Sequence, residues 1–467
     1  MNWRGSIGFG IFAALFTGAC FYLSIDMGSH GPLALIAPVP LLVYALVAPR
    51  AWTVGVAAAL ARTISLMGVV LVYGRDLPVP AMAGMIVIDA AMFAIVVLLS
   101  RWVARASGPL PAVFIYPLLL ATSEWLFGLV SPHGSFGAMG YALVDVLPLL
   151  QVASIGGLAA LTFCVALVPM TLAVALARPG EWRRALIAGG IPLVLALGFG
   201  ILRLSQNYES QARIVLIGLD SYEAAAYSSP AKDREAARMF ASLVRAAAPA
   251  RPDYIVLPEK QLGGARIATE SGNEIAAAAA AVAPATVIAG FDEILPDGRR
   301  VNSAQVLAPG EPLRRYFKRR LIPGLETGYT VGRESFVAGT RGVAICKDMD
   351  FPAMIRDYGR QRVELLLVPA WDFVADARMH SRMALVRAVE NGFAIARAAA
   401  GGNLSAFDRY GRVIAEQSTS RDRPVGLVAT LGLRGGGTVY ARIGDAFAWL
   451  CAAAVVWLAW RRRLSAA

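Results

Sequence analysis

Histidine and cysteine are scarce in this chain, and lysine is nearly absent. Its 467 residues include three histidines and four cysteines, and none of them lies at zinc-ligand spacing. No glycine loop has phosphate-binding form, so neither a metal nor a nucleotide cofactor is expected. Charge is sparse as well. Only 16% of residues are charged while 57% are hydrophobic, and the mean hydropathy is +0.57, a balance that excludes an ordinary soluble globule. The net charge of +12 comes almost wholly from arginine, since Lys232, Lys260, Lys318 and Lys347 are the only lysines among 44 basic residues. Much of that arginine sits in short loops between apolar runs, which makes a membrane the expected partner and leaves nucleic acid unnecessary.

What is present is a series of apolar runs long enough to cross a hydrocarbon core of about 30 Å. Seven spans are predicted before residue 206, at roughly 8–25, 32–48, 52–73, 79–99, 110–130, 148–177 and 184–204, with an eighth at about 443–460. The 148–177 run is read as one tilted or overlong helix. The first run has no small-residue cleavage site and is read as a retained helix. If the N-terminus is cytoplasmic, the inside loops hold Arg4, Arg50, Arg101, Arg105, Arg178, Arg183, Arg184 and Arg461 to Arg463, whereas the short outside loops hold only Arg75, beside Asp76. That asymmetry predicts a multi-pass protein of the cytoplasmic (inner) membrane with both termini inside. Three parts follow: a membrane domain at 1–206, an extracytoplasmic domain at 207–440, and a last helix with a basic tail at 441–467.

Within 207–440, apolar strand-like runs at 213–219, 254–258, 286–291, 303–308, 342–346, 363–369 and 394–399 alternate with helix-like runs at 233–247, 352–359 and 380–392. The alternation predicts an α/β domain, with the alanine run 276–283 as a surface helix. Cys346 is this domain's lone cysteine and follows the strand-like Gly342-Val343-Ala344-Ile345. Having no obvious disulfide partner, it is either an incidental buried thiol or a nucleophile. Glu259 and Lys318 also fall at strand ends. A thiol attacks a carbonyl well when a base takes its proton and a cation stabilises the oxyanion, and these two residues supply those roles without histidine. A solvated basic run would account for Lys318 equally well, and a surface strand end for Glu259.

Several segments together resemble the nitrilase (carbon–nitrogen hydrolase) superfamily. They are Leu257-Pro258-Glu259; Asn302-Ser303-Ala304 through Tyr316-Phe317-Lys318 to Ile322-Pro323-Gly324-Leu325-Glu326; Ile345-Cys346-Lys347-Asp348 with Phe351-Pro352; and Arg387-Ala388-Val389-Glu390-Asn391. The similarity covers nearly all of residues 213–425. With the flanking spans, Ala37-Pro38-Val39-Pro40, Gly137-Ala138-Met139-Gly140-Tyr141 and Leu149-Leu150-Gln151-Val152-Ala153-Ser154, the whole chain resembles the apolipoprotein N-acyltransferase family. That resemblance implies a multi-span α-helical membrane domain joined to an αββα sandwich. It further implies an acyl chain taken from a phospholipid as a Cys346 thioester and passed to the amine of a lipid-modified protein. Glu259 would be the base, Lys318 the stabiliser of the tetrahedral intermediate, Glu326 a supporting carboxylate and the Lys347 backbone N–H an oxyanion donor.

The chain departs from the family at Lys347 and Asp348, where an aromatic residue and a glutamate are usual, at Pro369 to Val374, and at Ala399 to Asn403. The acceptor is therefore open: a paralogue acylating another amine, a membrane-tethered amidase, and a noncatalytic receptor or transporter component all stay in view. Arg62 and Asp89, each inside a span, are expected to pair. Glu124 and His133 bracket the outer end of the fifth span and either line a lipid entrance, pack helices or sit at the membrane interface. A Cys–His dyad through His380 is disfavoured. Segments 261–273 and 324–336, polar and glycine-containing, are candidate lids.

Overall fold

The computed structural model describes residues 3–75, 77–219, 230–263, 268–420 and 423–464. It divides into two compact units, one comprising Met1–Ser205 with Ile443–Ala467 and the other Gln206–Arg442. Asp76 and residues 264–267 of the first candidate lid lie outside the described residues.

Among the described residues of the first unit, six helices are long and apolar enough to cross a membrane: Ile7–Ser24, Ala51–Tyr73, Val79–Ala104, Pro109–Val130, Ala153–Ala177 and Pro179–Leu204. Large apolar side chains such as Leu71, Val79, Val194 and Leu202 point outward from them, an arrangement suited to hydrocarbon rather than water. The C-terminal helix Ala446–Leu464 packs against Pro109–Val130 and Ala153–Ala177 and ends in Arg461, Arg462 and Arg463.

Two expected spans take another form. Residues 32–48 are a 3-10 turn, Gly31–Leu35, followed by a short helix, Val39–Val47, after Pro38. The single long helix expected at 148–177 is instead one turn, Leu147–Leu150, and a helix, Ala153–Ala177, that kinks at Gly157 (φ 65°, ψ −161°). Only glycine takes that conformation without strain. Gln151, at the break, is fully buried, and Arg203 Nη1 donates to its Oε1 at 2.7 Å.

Arg62 forms the expected bidentate pair with Asp89, at 2.6 and 3.0 Å, and also donates to Asp26 Oδ2 at 2.7 Å. Asp26 was not foreseen as a partner, because it reads as a loop residue after the first helix. Glu124 Oε1 accepts from the Met139 N–H at 2.9 Å and its Oε2 from the Thr162 hydroxyl at 2.6 Å, and the residue also lines a cavity with Arg62, Asp89 and Ser135.

Among the described residues, the second unit has twelve strands in two sheets. β1 (Ser210–Gly218), β2 (Tyr254–Val256), β3 (Thr286–Ile294), β4 (Arg300–Leu307) and β5 (Arg314–Phe317) lie side by side in one. The other runs in chain order through β6 (Phe336–Ala338), β7 (Arg341–Val343), β8 (Leu365–Trp371), β9 (Ala394–Ala400), β10 (Asn403–Phe407) and β11 (Val413–Ser418). β12 (Val425–Leu433) returns to the first sheet, antiparallel to β1. Strands β1 to β3 are parallel, as are β7 to β9.

The continuous apolar runs follow from burial on both faces. Ile214, Leu216, Val256 and Ile288 pack with Ile345, Leu365, Leu367 and Ala396 between the sheets. Their neighbours Val215, Ile217, Ile255 and Val287 face α1 (Pro230–Ala246) and α2 (Ala268–Ala281). The alanine run is therefore more than a surface helix, since Ile275, Ala278 and Ala279 of α2 are core residues. Helices α3 (Pro352–Arg360) and α4 (Ala377–Asn391) belong to the half that carries the second sheet. The result is the layered α/β sandwich.

Replacing Arg62 by Met should lower the unfolding midpoint in detergent, followed by tryptophan fluorescence, by several degrees. Removing one partner of a buried ionic group costs about 3–5 kcal/mol. Asp89→Asn, which leaves Arg62 its Asp26 partner, should cost less.

Candidate active site

Parallel strands gather ligand sites at their carboxyl ends, and Glu259 and Cys346 each stand three residues beyond such an end, that of β2 and of β7. Lys318 follows β5 directly. Gly290 of β3 makes room for the Glu259 segment, because a Cβ there would meet the Pro258 carbonyl oxygen at 2.3 Å and Glu259 Cα at 2.5 Å.

Lys318 is fully buried and donates to Glu259 Oε1 at 2.7 Å and to Glu326 Oε2 at 2.9 Å. Burial opposes its charge, but Glu259, Cys346 and Glu326 outweigh it and hold the ammonium above its ordinary pKa. Asn302 Nδ2 bridges the same two carboxylates at 2.6 and 2.7 Å. The two carboxylates nevertheless differ. Glu326 receives four donors: Asn302 and Lys260 (3.2 Å) on Oε1, and Lys318 and the Ile322 N–H (2.7 Å) on Oε2. Despite burial, Lys318 and then Lys260 hold its carboxyl down at about 2. Glu259 receives its side-chain donors on Oε1, and its buried Oε2 has no hydrogen-bond partner among the described residues. Of the pair, Glu259 has the oxygen open to a proton.

Cys346 has φ +42°, a left-handed conformation uncommon for a side-chain-bearing residue and typical of functional turns. Its thiol donates to the Trp371 carbonyl at 3.4 Å, and the Glu259 N–H donates to the neighbouring Ala370 carbonyl at 3.2 Å. Burial and then Glu259 push the thiol well above its usual pKa, while Lys318 and Arg397 pull the other way. The balance favours the neutral thiol over the thiolate. The buried Asp372–Arg397 pair lies within electrostatic reach of it, which accounts for Asp372 in the divergent 369–374 segment.

Asp348, at the first departure, is fully buried and accepts four hydrogen bonds. Its Oδ1 accepts from the Arg319 and Arg320 N–H groups at 3.1 and 2.9 Å, and its Oδ2 from the Tyr316 hydroxyl at 2.7 Å and the Ile345 N–H at 3.0 Å. One carboxylate therefore ties the cysteine turn to the Lys318 segment; burial raises its pKa to about 6. The Lys347 side chain turns to Asp350 at 3.3 Å, and His380 lies between Asp350 (3.8 Å) and Asp376 (3.3 Å). His380 thus serves a carboxylate cluster, in keeping with the disfavoured dyad. Segment 324–336 is pinned at Glu326, at Tyr329 (whose hydroxyl donates to Asp292), at Thr330 and at Gly332, so it forms a wall more than a free lid.

The structure brings Glu259, Lys318 and Glu326 into direct contact and couples Cys346 to Glu259 and Lys318 electrostatically. Sequence reasoning gave no role to Asn302, Lys260 or Asp348. The signals available were an asparagine just ahead of the apolar run 303–308, and lysine in a chain that otherwise uses arginine.

The family model for the apolipoprotein N-acyltransferase N-terminal domain matches residues 17–171, and that for carbon-nitrogen hydrolase matches residues 224–444. The chain is 25% identical over 501 residues to an apolipoprotein N-acyltransferase of Geobacter metallireducens, covering 96% of this chain and 95% of the relative. It is 27% identical over 394 residues to one from Bradyrhizobium diazoefficiens, covering 74% and 72%. Among solved structures, an amidase from Nesterenkonia sp. aligns with 52% of this chain and 95% of its own, at 18% identity and a TM-score of 0.42.

Two outcomes are expected. Asp348→Ala should slow alkylation of Cys346 and lower the unfolding midpoint, since hydrogen bonds to a charged group contribute about 1.5–3 kcal/mol each. The imidazolium of His380 is held up to about 10 against its ordinary 6.5: burial opposes the charge, and Asp376 and Asp350 outweigh it. Its stabilisation is complete below 6.5 and is lost as pH rises through about 10. The gap in unfolding midpoint between wild type and His380→Gln should therefore be widest below pH 6.5 and close toward pH 10.

Proposed function

Because the chain belongs to the apolipoprotein N-acyltransferase family, within the carbon–nitrogen hydrolase superfamily, we propose that it moves a fatty acyl chain from a phospholipid, through a thioester on Cys346, to the α-amine of an apolipoprotein's lipid-modified N-terminal cysteine. The observation that carries this reading is the asymmetry of the two carboxylates. Glu326 receives four donors, whereas Glu259 Oε2 has no hydrogen-bond partner among the described residues.

In the first half-reaction, Glu259 Oε2 takes the thiol proton as sulfur bonds to the ester carbonyl carbon. Lys318 and the Lys347 backbone N–H stabilise the oxyanion. The C–O bond then breaks, and the departing lysophospholipid alkoxide receives the proton from Glu259. In the second, the amine adds to the thioester carbonyl and gives its proton to Glu259; the C–S bond breaks and the thiolate recovers that proton. Neither half needs a cofactor.

The membrane unit supports a lipid donor, since a purely soluble amide substrate would require none of these helices. The protein is a multi-pass inner-membrane enzyme, and the arginine asymmetry supports cytoplasmic termini with residues 206–442 on the outer face.

Intact mass spectrometry of the detergent-purified protein after incubation with phospholipid is the test. Wild type should gain a fatty-acyl mass that hydroxylamine removes, Cys346→Ala should gain none, and Glu259→Gln should acylate about 10²–10⁴-fold more slowly. Hydrolysis of small amides without any phospholipid-derived adduct would favour the amidase reading instead, and inertness in both assays the noncatalytic one.

A further inference from the structure

We propose that Lys260 is a positioning residue for acyl transfer, whose ammonium occupies Glu326 and so leaves the Lys318 charge available to the reacting oxygen. The inference rests on the roles given above to Cys346, Glu259 and Lys318.

Four observations converge on Lys260. It follows Glu259 directly and is buried, with its Nζ 3.2 Å from Glu326 Oε1. Its ammonium stands 5.3 Å from the Tyr329 ring centroid and 5.4 Å from that of Trp371, distances at which a cation is held by aromatic faces. The rings belong to the two segments that carry Glu326 and the carbonyl acceptor of the Cys346 thiol. Its backbone adopts φ +52°, a left-handed conformation that costs a lysine energy and persists where surrounding structure imposes it. Finally, Gly290 of β3 brings its backbone so close that a Cβ would sit 2.9 Å from the Lys260 nitrogen, which fixes the direction in which the residue leaves the strand.

The consequence is electrostatic. Glu259 and Glu326 carry two negative charges, and Lys318 alone would leave one of them uncompensated. Lys260 makes the group neutral. When Glu259 accepts the thiol proton it loses its hold on Lys318, and Glu326 would then capture that ammonium. With Lys260 and Asn302 already on Oε1 of Glu326, the capture is weaker, and Lys318 can serve the developing oxyanion. Lys260 acts through Glu326 and need not touch substrate.

The test uses full-length protein in detergent, with Lys260→Met, Lys260→Gln and Lys260→Arg beside wild type. Iodoacetamide alkylation of Cys346, resolved by peptide mass spectrometry, is followed across the neutral and alkaline range, and acyl-adduct formation from phospholipid is measured in parallel. Removing the cation makes the site more negative and disfavours thiolate, so both neutral variants should shift the alkylation profile alkaline by about one pH unit. They should also acylate about tenfold to a hundredfold more slowly. Lys260→Arg keeps the charge and the aromatic stacking and should restore the profile. A purely structural residue would change the yield or unfolding midpoint without moving the profile. An unmoved profile in folded Lys260→Met and Lys260→Gln overturns the proposal, as does failure of arginine to restore it. So does failure of both neutral variants to fold, which would make the ammonium a strut. Iodoacetamide requires no lipid, so wild type that alkylates yet takes no acyl group would refute acyl transfer while leaving the Lys260 measurement valid.

Discussion

The Lys318 ammonium, enclosed between Glu259 and Glu326, is the interaction on which the site depends. An isolated ammonium this deep would be too expensive to keep charged, and two carboxylates this close would repel one another. Each makes the other tolerable. Because Glu259 follows β2, Lys318 follows β5 and Glu326 lies in the segment after Ile322, satisfying this one cation also fixes three separate stretches of chain. Asn302 repeats the bridge with a neutral donor, so the geometry does not rest on charge alone.

The parts of this site legible in the sequence were those with a local signature. Cys346 stood out as one thiol after a strand in a polar stretch, and Glu259 and Lys318 were visible as charged residues at strand ends. Glu326 came only through the resemblance, since nothing near it distinguishes it from a loop carboxylate. Asn302 reaches Glu259 across 43 residues, Lys260 reaches Glu326 across 66, and Asp348 joins its neighbour Ile345 to Arg320, 28 residues away, and no local pattern encodes those distant meetings. In the sequence, the departures at Lys347 and Asp348 bear only on the acceptor. In the fold, Asp348 is the clasp between the cysteine turn and the Lys318 segment.

The same division holds elsewhere. Apolar length announced the membrane helices, and alternation announced the central strands, because each is written in neighbouring residues. Hidden were the features that depend on a single residue's conformation or on a distant partner. Gly157 breaks a run whose hydropathy is continuous, Asp26 reaches Arg62 from beyond the first helix, and the alanine run of α2 buries one face although its composition is bland.

The last residues of β8 place Glu259 and the Cys346 sulfur by a common standard. Two consecutive peptide carbonyls, Ala370 and Trp371, receive the Glu259 N–H and the Cys346 thiol respectively. Peptide groups are the same whatever side chain they carry, so the spacing of the reactive pair is inherited from the backbone and is indifferent to residue identity along that edge. A side chain along that edge with no contact of its own can then vary without moving Glu259 or the sulfur, whereas Trp371 and Asp372, held against Lys260 and Arg397, are tied to the site by their side chains as well.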